Sequence, residues 1–288
     1  MALTSTNLVG YLRAEFANAS RLRVWLFVVQ LAAAVPAAVA VLIPDQYSDA
    51  LYWLAFAGAV LLIGWWFLNG RYARVRNAAQ AARRGALLLG GLNEPLSPGE
   101  IQALRERFTV SAAGAQKCEN VNYYATKLPP GPARLGEMLE ESAFYSEHLQ
   151  RISANVMLGV LVIFAVVFVI IAFGVTPYVG RDTGQTIVRV FLALLVFGMS
   201  ADVVGAYRAH RGATNDLRDI RLRLITADAA GYPTADVLLA FADYNAAVEG
   251  APESVPYAYE MNEKHLNERW ADYQQDRNNR RAAQSQTL

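Results

Sequence analysis

The sequence predicts an all-α, polytopic membrane protein with four transmembrane helices and a helical cytoplasmic region formed by extensions of the spans. Three observations predict this fold class. Hydrophobic residues make up 54% of the 288 residues. They are collected into four long runs instead of being spread at the periodicity of a soluble core. The alternation of polar and apolar residues that is typical of strands is nearly absent.

Each apolar run approaches the roughly 20 residues that a helix needs to cross the hydrocarbon core of a bilayer. The four predicted spans are 24–43, 51–68, 156–175 and 187–204. A buried helix of a soluble protein would explain the first, second or fourth run taken alone. Two close pairs, joined by the short polar turns IPDQYSDA and TPYVGRDTGQ, favour membrane hairpins instead. Because lipid cannot satisfy backbone polar groups, each span is predicted to be helical.

The distribution of Lys and Arg predicts the orientation of these spans. Three basic residues precede the first span, eleven lie between the second and third, and ten follow the fourth. Only Arg181 and Arg189 lie on the other side. Basic residues near span ends stay in the cytoplasm, so both termini and the middle region are predicted to be cytoplasmic.

The chain therefore divides into four predicted regions. Residues 1–69 hold an N-terminal cytoplasmic segment and the first transmembrane hairpin, and 70–151 form a cytoplasmic helical block. Residues 152–205 form the second transmembrane hairpin, and 206–288 form a C-terminal cytoplasmic helical block. The second, third and fourth spans are expected to be continuous with cytoplasmic helices.

Local signals predict where the cytoplasmic helices begin and end. The second span is expected to continue to Gly90 and Gly91. The sequence SPGE at 97–100 is a capping box with proline at the first helical position, and it predicts a short helix to about Phe108. A loop is predicted around Gly114, before the next helix. The final helix is predicted to end near Gln275, with NNRRAAQSQTL as a frayed tail.

Several classes of function have no signature in this sequence. We find no P-loop, no GxSxG, no HExxH and no pair of aspartates at metal-binding spacing, so no catalytic residue, metal site or cofactor is predicted. The single cysteine, Cys118, excludes an intramolecular disulfide. The formal net charge of +1 gives no electrostatic argument for binding a nucleic-acid polymer. The sequence therefore indicates a protein that is not an enzyme.

Two sets of charged residues are candidates for function. Asp202 lies inside the fourth span, where it would line a pore or bind an arginine, or would reach the inner boundary about one turn away. Arg218 and Arg221 follow acidic residues on one predicted helix, which indicates either salt bridges along that helix or a phosphate-binding face. Glu137 and its neighbours Glu140 and Glu141 form an acidic face that could pair with those arginines.

The segments NYYATKLPPGPARLGEMLEESAFYSEHL and DYNAAVEGAPESVPYAYEMNEKHLNERW resemble a known family. Together with the two-plus-two arrangement of spans, they are similar to the four-transmembrane effectors of bacterial cyclic-oligonucleotide-based antiphage signalling systems (CBASS). The resemblance implies a bacterial inner-membrane protein with a cytoplasmic sensor for a cyclic oligonucleotide. The positions it suggests as ligand contacts, for which packing is the alternative, are Tyr123, Tyr124, Arg134, Tyr145, Tyr244 and Tyr259.

The resulting hypothesis is a membrane effector of antiphage defence. A cyclic nucleotide or another cytoplasmic signal would gate it, and it would act as a homo-oligomer through membrane disruption or pore formation. Two alternatives stay open at this point. One is a constitutive ion channel or small transporter, and the other is a membrane scaffold that recruits a cytoplasmic partner.

Overall fold

The structure is a computed structural model, and it describes residues 3–40, 43, 47–170, 173, 180 and 203–285. This part of the chain is helical and contains no strand. Its eight helices are α1 (Ser5–Ala40), α2 (Ser48–Leu92), α3 (Pro98–Arg107), α4 (Ala112–Gln116), α5 (Pro132–Val169), α6 (Val203–Ala229), α7 (Thr234–Gly250) and α8 (Ala258–Ser285). The all-helical prediction is confirmed. The predicted fourth span, with Arg189 and Asp202, lies outside the described residues.

Helices α2, α3 and α5 follow the local signals in the sequence. Helix α2 runs without a break from Ser48 to Leu92, and α5 runs from the proline-rich turn into the third apolar run. At the start of α3, Ser97 Oγ accepts a hydrogen bond from the backbone N–H of Glu100 at 3.3 Å. This bond satisfies one of the donors that every helix N-terminus leaves free. Predictions based on capping chemistry were accurate here.

Three elements differ from the sequence-based expectation. Helix α1 begins at Ser5, well before its apolar run, because Leu8, Val9 and Leu12 form a buried stripe. The predicted loop around Gly114 contains the short helix α4, whose N-cap Ser111 accepts from the N–H of Gly114. Helix α8 continues to Ser285. The segment expected to be a frayed tail is therefore helical in its described part.

The chain divides into two compact units. The first, which we call the charged unit, comprises Met1–Ala19, Arg74–Ser153 and Ala209–Leu288. Its main core is made of apolar side chains at helical spacing from α2, α5, α6 and α7. In α6 these are Leu217, Ile220, Leu224 and Ala227, and in α7 they are Val237, Ala240, Tyr244 and Val248.

A second cluster in the charged unit holds the N-terminal part of α1. Leu8 and Val9 pack with Ala81 and Ala86 of α2 and with Leu104 of α3. Glu15, which is fully buried, accepts hydrogen bonds from the N–H and hydroxyl of Thr109 and from the N–H of Val110. The start of α1 is thus fixed by apolar packing and by a buried carboxylate.

The second unit, which we call the apolar unit, comprises Ser20–Ala73 and Ala154–Arg208. Many of its large hydrophobic side chains are exposed, among them Trp25 by 61%, Phe67 by 65% and Ile163 by 64%. Three helices of the described chain, α1, α2 and α5, are long and apolar enough to cross a membrane. Water does not tolerate so much contiguous apolar surface on a monomer, whereas lipid does. These findings are consistent with a membrane protein.

Candidate functional site

A cleft of about 370 Å³ lies within the charged unit, between α5, α6 and α8. Each helix contributes side chains at the helical spacing of three and four residues. From α5 come Phe144, Glu147, His148 and Arg151, from α6 come Arg218, Arg221 and Leu222, and from α8 come Arg269, Asp272, Tyr273 and Asp276. The cleft therefore combines four arginines, three carboxylates, one histidine and two aromatic rings.

Glu147 holds two of the four arginines in the cleft. This residue is 2% exposed, and one of its carboxylate oxygens pairs with Arg151 on the next turn of α5. Its other oxygen pairs with Arg221 across the interface with α6 at 2.5 Å. Both oxygens of a buried carboxylate are thus satisfied, as a charge removed from water requires.

Arg221 is fixed further by aromatic rings on both neighbouring helices. The centre of its guanidinium lies 5.1 Å from the ring centroid of Phe144 and 4.9 Å from that of Tyr273. Both distances are within the range of cation–π attraction. Arg221 is therefore an internal support of the cleft wall, which limits its freedom to contact a ligand.

The remaining charged side chains of the cleft form no ion pair with a described residue and could contact a ligand. Arg218 and Arg269 are exposed and form no ion pair with any residue that the structure describes. The same is true of Asp272 and Asp276 on α8. Two arginines from different helices can approach one anion, and guanidinium groups are suited to phosphate because they donate two parallel hydrogen bonds.

His148 adds a polar group that has no partner at one of its nitrogens. Its Nδ1 lies 2.7 Å from the carbonyl oxygen of Phe144, and since a carbonyl only accepts, Nδ1 carries the proton. Its Nε2 is buried and has no hydrogen-bond partner among the described residues. Burial lowers the pKa of His148 below its usual 6.5, although the bond to Phe144 opposes this effect. At neutral pH, Nε2 is consequently an unsatisfied acceptor.

A buried ion network joins α5 to α8 next to the cleft. Glu140 accepts from Arg277 at 2.8 Å and also from the hydroxyl of Tyr273, which lines the cleft. Glu137 pairs with Arg281 at 2.8 Å, and Arg281 reaches Asp228 of α6 at 2.9 Å. The sequence suggests that the acidic face of α5 could pair with the arginines of α6, whereas in the structure Glu137 and Glu140 pair with Arg281 and Arg277 of α8.

This network perturbs the groups that form it. Burial disfavours the charge on Arg281, but hydrogen bonds to Asp228 and Glu137 outweigh that effect and raise its pKa. Burial and the negative charge of Glu140 raise the pKa of Tyr273. The network therefore stabilises the ionised form of its arginines and the neutral form of its tyrosine, and it holds α8 in place.

Of the residues predicted as ligand contacts, the structure brings only Arg218 and Arg221 into this cleft. Tyr145 lies on α5, and its hydroxyl donates to Oδ1 of Asn267 on α8 at 2.8 Å. Tyr123 and Tyr124 pack edge to face with ring centroids 4.9 Å apart, outside the lining of the cleft. Arg134 donates to the carbonyl of Leu128 at 2.8 Å.

Tyr244 and Tyr259, the two predicted ligand contacts in the second resembling segment, also lie outside the lining. Tyr244 is 1% exposed and belongs to the main core, with its hydroxyl 3.4 Å from that of Ser146. The hydroxyl of Tyr259 donates to Glu263 on the next turn of α8. Packing and local hydrogen bonds account for both positions as the structure has them. Asp202, the predicted intramembrane site, lies outside the described residues.

Sequence reasoning missed the residues that α5 and α8 contribute to the cleft. A signal for them was present, because polar and aromatic residues in both helices recur with the spacing i, i+3, i+4, i+7. In α5 this face is Phe144, Glu147, His148 and Arg151, and in α8 it is Arg269, Asp272, Tyr273 and Asp276. Spacing shows that such residues share a face, but it does not show which other helix that face meets.

The side chains of the cleft can bind a ligand through charge and hydrogen bonds. In the described part of the chain, no group of three or more His, Cys, Asp or Glu residues could hold a metal ion. Arginines, aspartates and a neutral histidine offer donors and acceptors at once, so a ligand that carries both phosphate and hydrogen-bond donors would be complementary to this cleft.

No protein-family model matches this chain, and no curated protein or solved structure matches it either.

Proposed function

We propose that this protein is a membrane effector of antiphage defence whose cytoplasmic part binds a cyclic nucleotide in the cleft between α5, α6 and α8. Ligand binding would gate disruption of the bacterial inner membrane, or pore formation in it, by a homo-oligomer. The observation that carries the proposal is the presence of two unpaired arginines, Arg218 and Arg269, on different helices of one charged and partly aromatic cleft.

The composition of the cleft supports an anionic ligand of nucleotide size. Arg218 and Arg269 are exposed and unpaired, so a phosphate group would meet donors that need not first be released from a carboxylate. Tyr273 and Phe144 supply aromatic surface in the same cleft. A volume of about 370 Å³ falls within the range of small-molecule sites in proteins.

The helices that form the cleft support a connection between binding and the membrane. Helix α5 contributes four side chains to the cleft, and its later residues belong to the apolar unit. Helix α6 contributes three, and the same helix begins in residues of that unit. A ligand that changes the packing of α5 and α6 would therefore act on helices that also contribute residues to the apolar unit.

The experiment measures the membrane potential of bacteria that express the full chain, with and without a constitutively active cyclic dinucleotide synthase. We expect depolarisation only when the synthase is active. We also expect the double variant Arg218→Ala, Arg269→Ala to abolish this depolarisation, because it removes the proposed donors to phosphate. Both residues are exposed, so their removal leaves no buried charge unpaired and the chain should still fold.

The matched control is the double variant Arg223→Ala, Lys264→Ala. It removes the same number of positive charges from the same two helices, outside the lining of the cleft, and it should depolarise like the parent chain. Depolarisation without the synthase would indicate a constitutive channel. An unchanged potential in all strains, with the protein confirmed in the membrane, would favour a scaffold. Either result would overturn the proposal.

A further inference from the structure

The loop between α7 and α8, residues 251–257, is fixed at the point where helix α5 leaves the charged unit. The backbone N–H of Val255 donates to the Oγ of Ser153 at 2.9 Å. Ser153 is the last residue of α5 in the charged unit, and the same helix continues without a break into the apolar unit. Val156, which opens the third predicted span, lies about 4.5 Å further along the helix axis. The loop is therefore bonded to the turn from which that span begins.

Two further side chains hold the loop and the end of α7. Arg76 of α2 donates to the carbonyl oxygens of Glu249, at 3.0 Å, and of Ala251. Gln150 of α5 donates to the carbonyl oxygen of Pro252 at 3.1 Å. Both donors lie within three residues of the ends that α2 and α5 have in the charged unit. Contacts from two helices thus determine where α8 begins, and they satisfy carbonyl groups that a loop would otherwise leave to water.

Large side chains at the start of α8 are exposed. Tyr257 is 63% exposed, and Met261 is 82% exposed. The two residues are one helical turn apart, since the N–H of Met261 donates to the carbonyl oxygen of Tyr257 at 3.0 Å. Tyrosine is enriched at membrane–water boundaries because it has an apolar ring and a polar tip, and methionine is a flexible apolar side chain. The pair is therefore suited to the headgroup region of a bilayer.

Positive charge is available where other helices pass from one unit to the other. Arg74 is the first residue of α2 in the charged unit, and Arg211 is the third residue of α6 in it. Both are exposed and form no ion pair with a residue that the structure describes. Basic residues beside the end of a span are attracted to anionic lipids. The charge of this part of the molecule is thus complementary to a phospholipid surface.

We infer that the loop between α7 and α8 is a membrane-surface anchor, in which Tyr257 and Met261 enter the headgroup region of the bilayer. The bilayer is the occupant that the structure favours, because the loop is bonded to the turn of α5 that precedes an exposed apolar run. In that run Val156 is 43% exposed and Ile163 is 64% exposed. The inference goes beyond the proposed function, since it requires no ligand. It gives α8 a contact with lipid at its start and a part in the cleft further along.

The test locates a nitroxide label on the full chain in vesicles of phosphatidylcholine and phosphatidylglycerol. Labels are attached at Met261→Cys and, as a matched control, at Gln275→Cys, each in a chain in which Cys118→Ser removes the single native cysteine. Gln275 is exposed on α8, outside the lining of the cleft, about 21 Å further along the helix. Electron paramagnetic resonance measures how often each label collides with oxygen, which dissolves in lipid, and with a nickel chelate, which stays in water.

We expect the label at position 261 to collide more with oxygen, and the label at position 275 to collide more with the nickel chelate. A preference for nickel at both positions would place Met261 in water and overturn the inference. An equal preference for oxygen at both positions would overturn it too, because the start of α8 would then not be distinguished. So would broadening of the signal at 261, without a preference for oxygen, that disappears when labelled chains are diluted with unlabelled ones. That result would place a second copy of the chain on this surface.

A second measurement tests the native side chains themselves. A label at Glu260→Cys, in the first turn of α8, reports the depth of that turn in the bilayer. We expect the double variant Tyr257→Ser, Met261→Ser to lower its collisions with oxygen. The matched control is Leu238→Ser, Leu239→Ser, which removes two exposed apolar side chains of α7 and should leave the collisions unchanged.

The four substituted side chains of these double variants are exposed, so folding should be unaffected, and circular dichroism checks it. An equal fall in both double variants, or no fall in either, would show that the pair does not anchor α8. Neither measurement uses a nucleotide, so failure of this inference would leave the proposed function in place.

Discussion

The charged unit and the apolar unit share helices α1, α2, α5 and α6, yet they place hydrophobic side chains in opposite ways. In the charged unit, apolar residues such as Leu135 and Leu217 are fully buried, and even carboxylates are enclosed with their arginines. In the apolar unit, Trp53 and Phe67 stand about two-thirds exposed. Such a change in side-chain exposure along one helix is consistent with a change of surroundings from water to lipid.

The largest effect should come from breaking the ion network of the charged unit. Arg277→Ala leaves the buried Glu140 without its arginine and removes the longer of the two ion pairs of Glu137, so we expect a loss of about 3–5 kcal/mol in the free energy of unfolding. Urea unfolding in detergent micelles, followed by circular dichroism, measures this loss. The control Arg223→Ala removes an exposed pair with Asp243 and should cost about 1 kcal/mol or less.

Equal losses for these two variants would mean that burial does not distinguish the two ion pairs. That result would contradict the conclusion that the buried ion network holds α8 in place.

A second experiment compares exposed hydrophobic residues in the two units. Ile163 of α5 is 64% exposed in the apolar unit, and Val121 is 84% exposed in the charged unit. We expect Ile163→Arg to oppose membrane insertion by about 2.5–3.5 kcal/mol, because arginine is disfavoured at the centre of a span. Val121→Arg should change stability by about 0.5 kcal/mol at most.

The measurement is the fraction of each variant that resists alkaline extraction from membranes. If Ile163→Arg is retained as fully as Val121→Arg, the exposed surface of α5 does not face lipid.

A smaller and pH-dependent effect is expected from Glu141 of the charged unit. Burial raises the pKa of this carboxyl from 4.5 to about 7, although a hydrogen bond from the N–H of Ala125 opposes the increase. Between these two values the folded chain binds a proton that the unfolded chain has lost, so stability falls as the pH rises. Above about pH 7 both states are ionised, and this contribution becomes constant.

Glu141→Gln isolates that contribution, because an amide keeps the acceptor for Ala125 but does not titrate. Melting temperatures of the two chains, recorded in micelles from pH 5 to pH 8, should converge or cross as the parent loses stability. Parallel curves over this range would contradict the raised pKa.

Sequence reasoning predicted the elements that local chemistry determines. The capping box at Ser97, the glycines near the end of α2 and the apolar run of α5 each fix a structure within a few residues. It did not predict that α8 extends to Ser285, since Arg281 resembles part of a solvated tail until its partner Glu137 on α5 is known. Helicity there depends on tertiary contacts, which local propensity does not report.

The candidate site was predicted only in part for the same reason. Arg218 and Arg221 stood out because acidic and basic residues alternate along their own helix. Their different roles, one exposed and one enclosed by Phe144 and Tyr273, follow from packing between helices. Sequence alone gave no measure of that packing. The fourth span, Asp202 and the predicted orientation remain predictions.

The ion network between α5 and α8 also sets an order of events during synthesis. Glu140 and Arg277 are 137 residues apart in the chain. At the usual ribosomal rate of about 5–20 residues per second, the carboxylate emerges roughly 7–27 s before its partner. All the apolar runs are translated before Arg277. The charged unit consequently completes its interior only after the hydrophobic helices have left the ribosome, and a nascent chain must keep two carboxylates hydrated until α8 arrives.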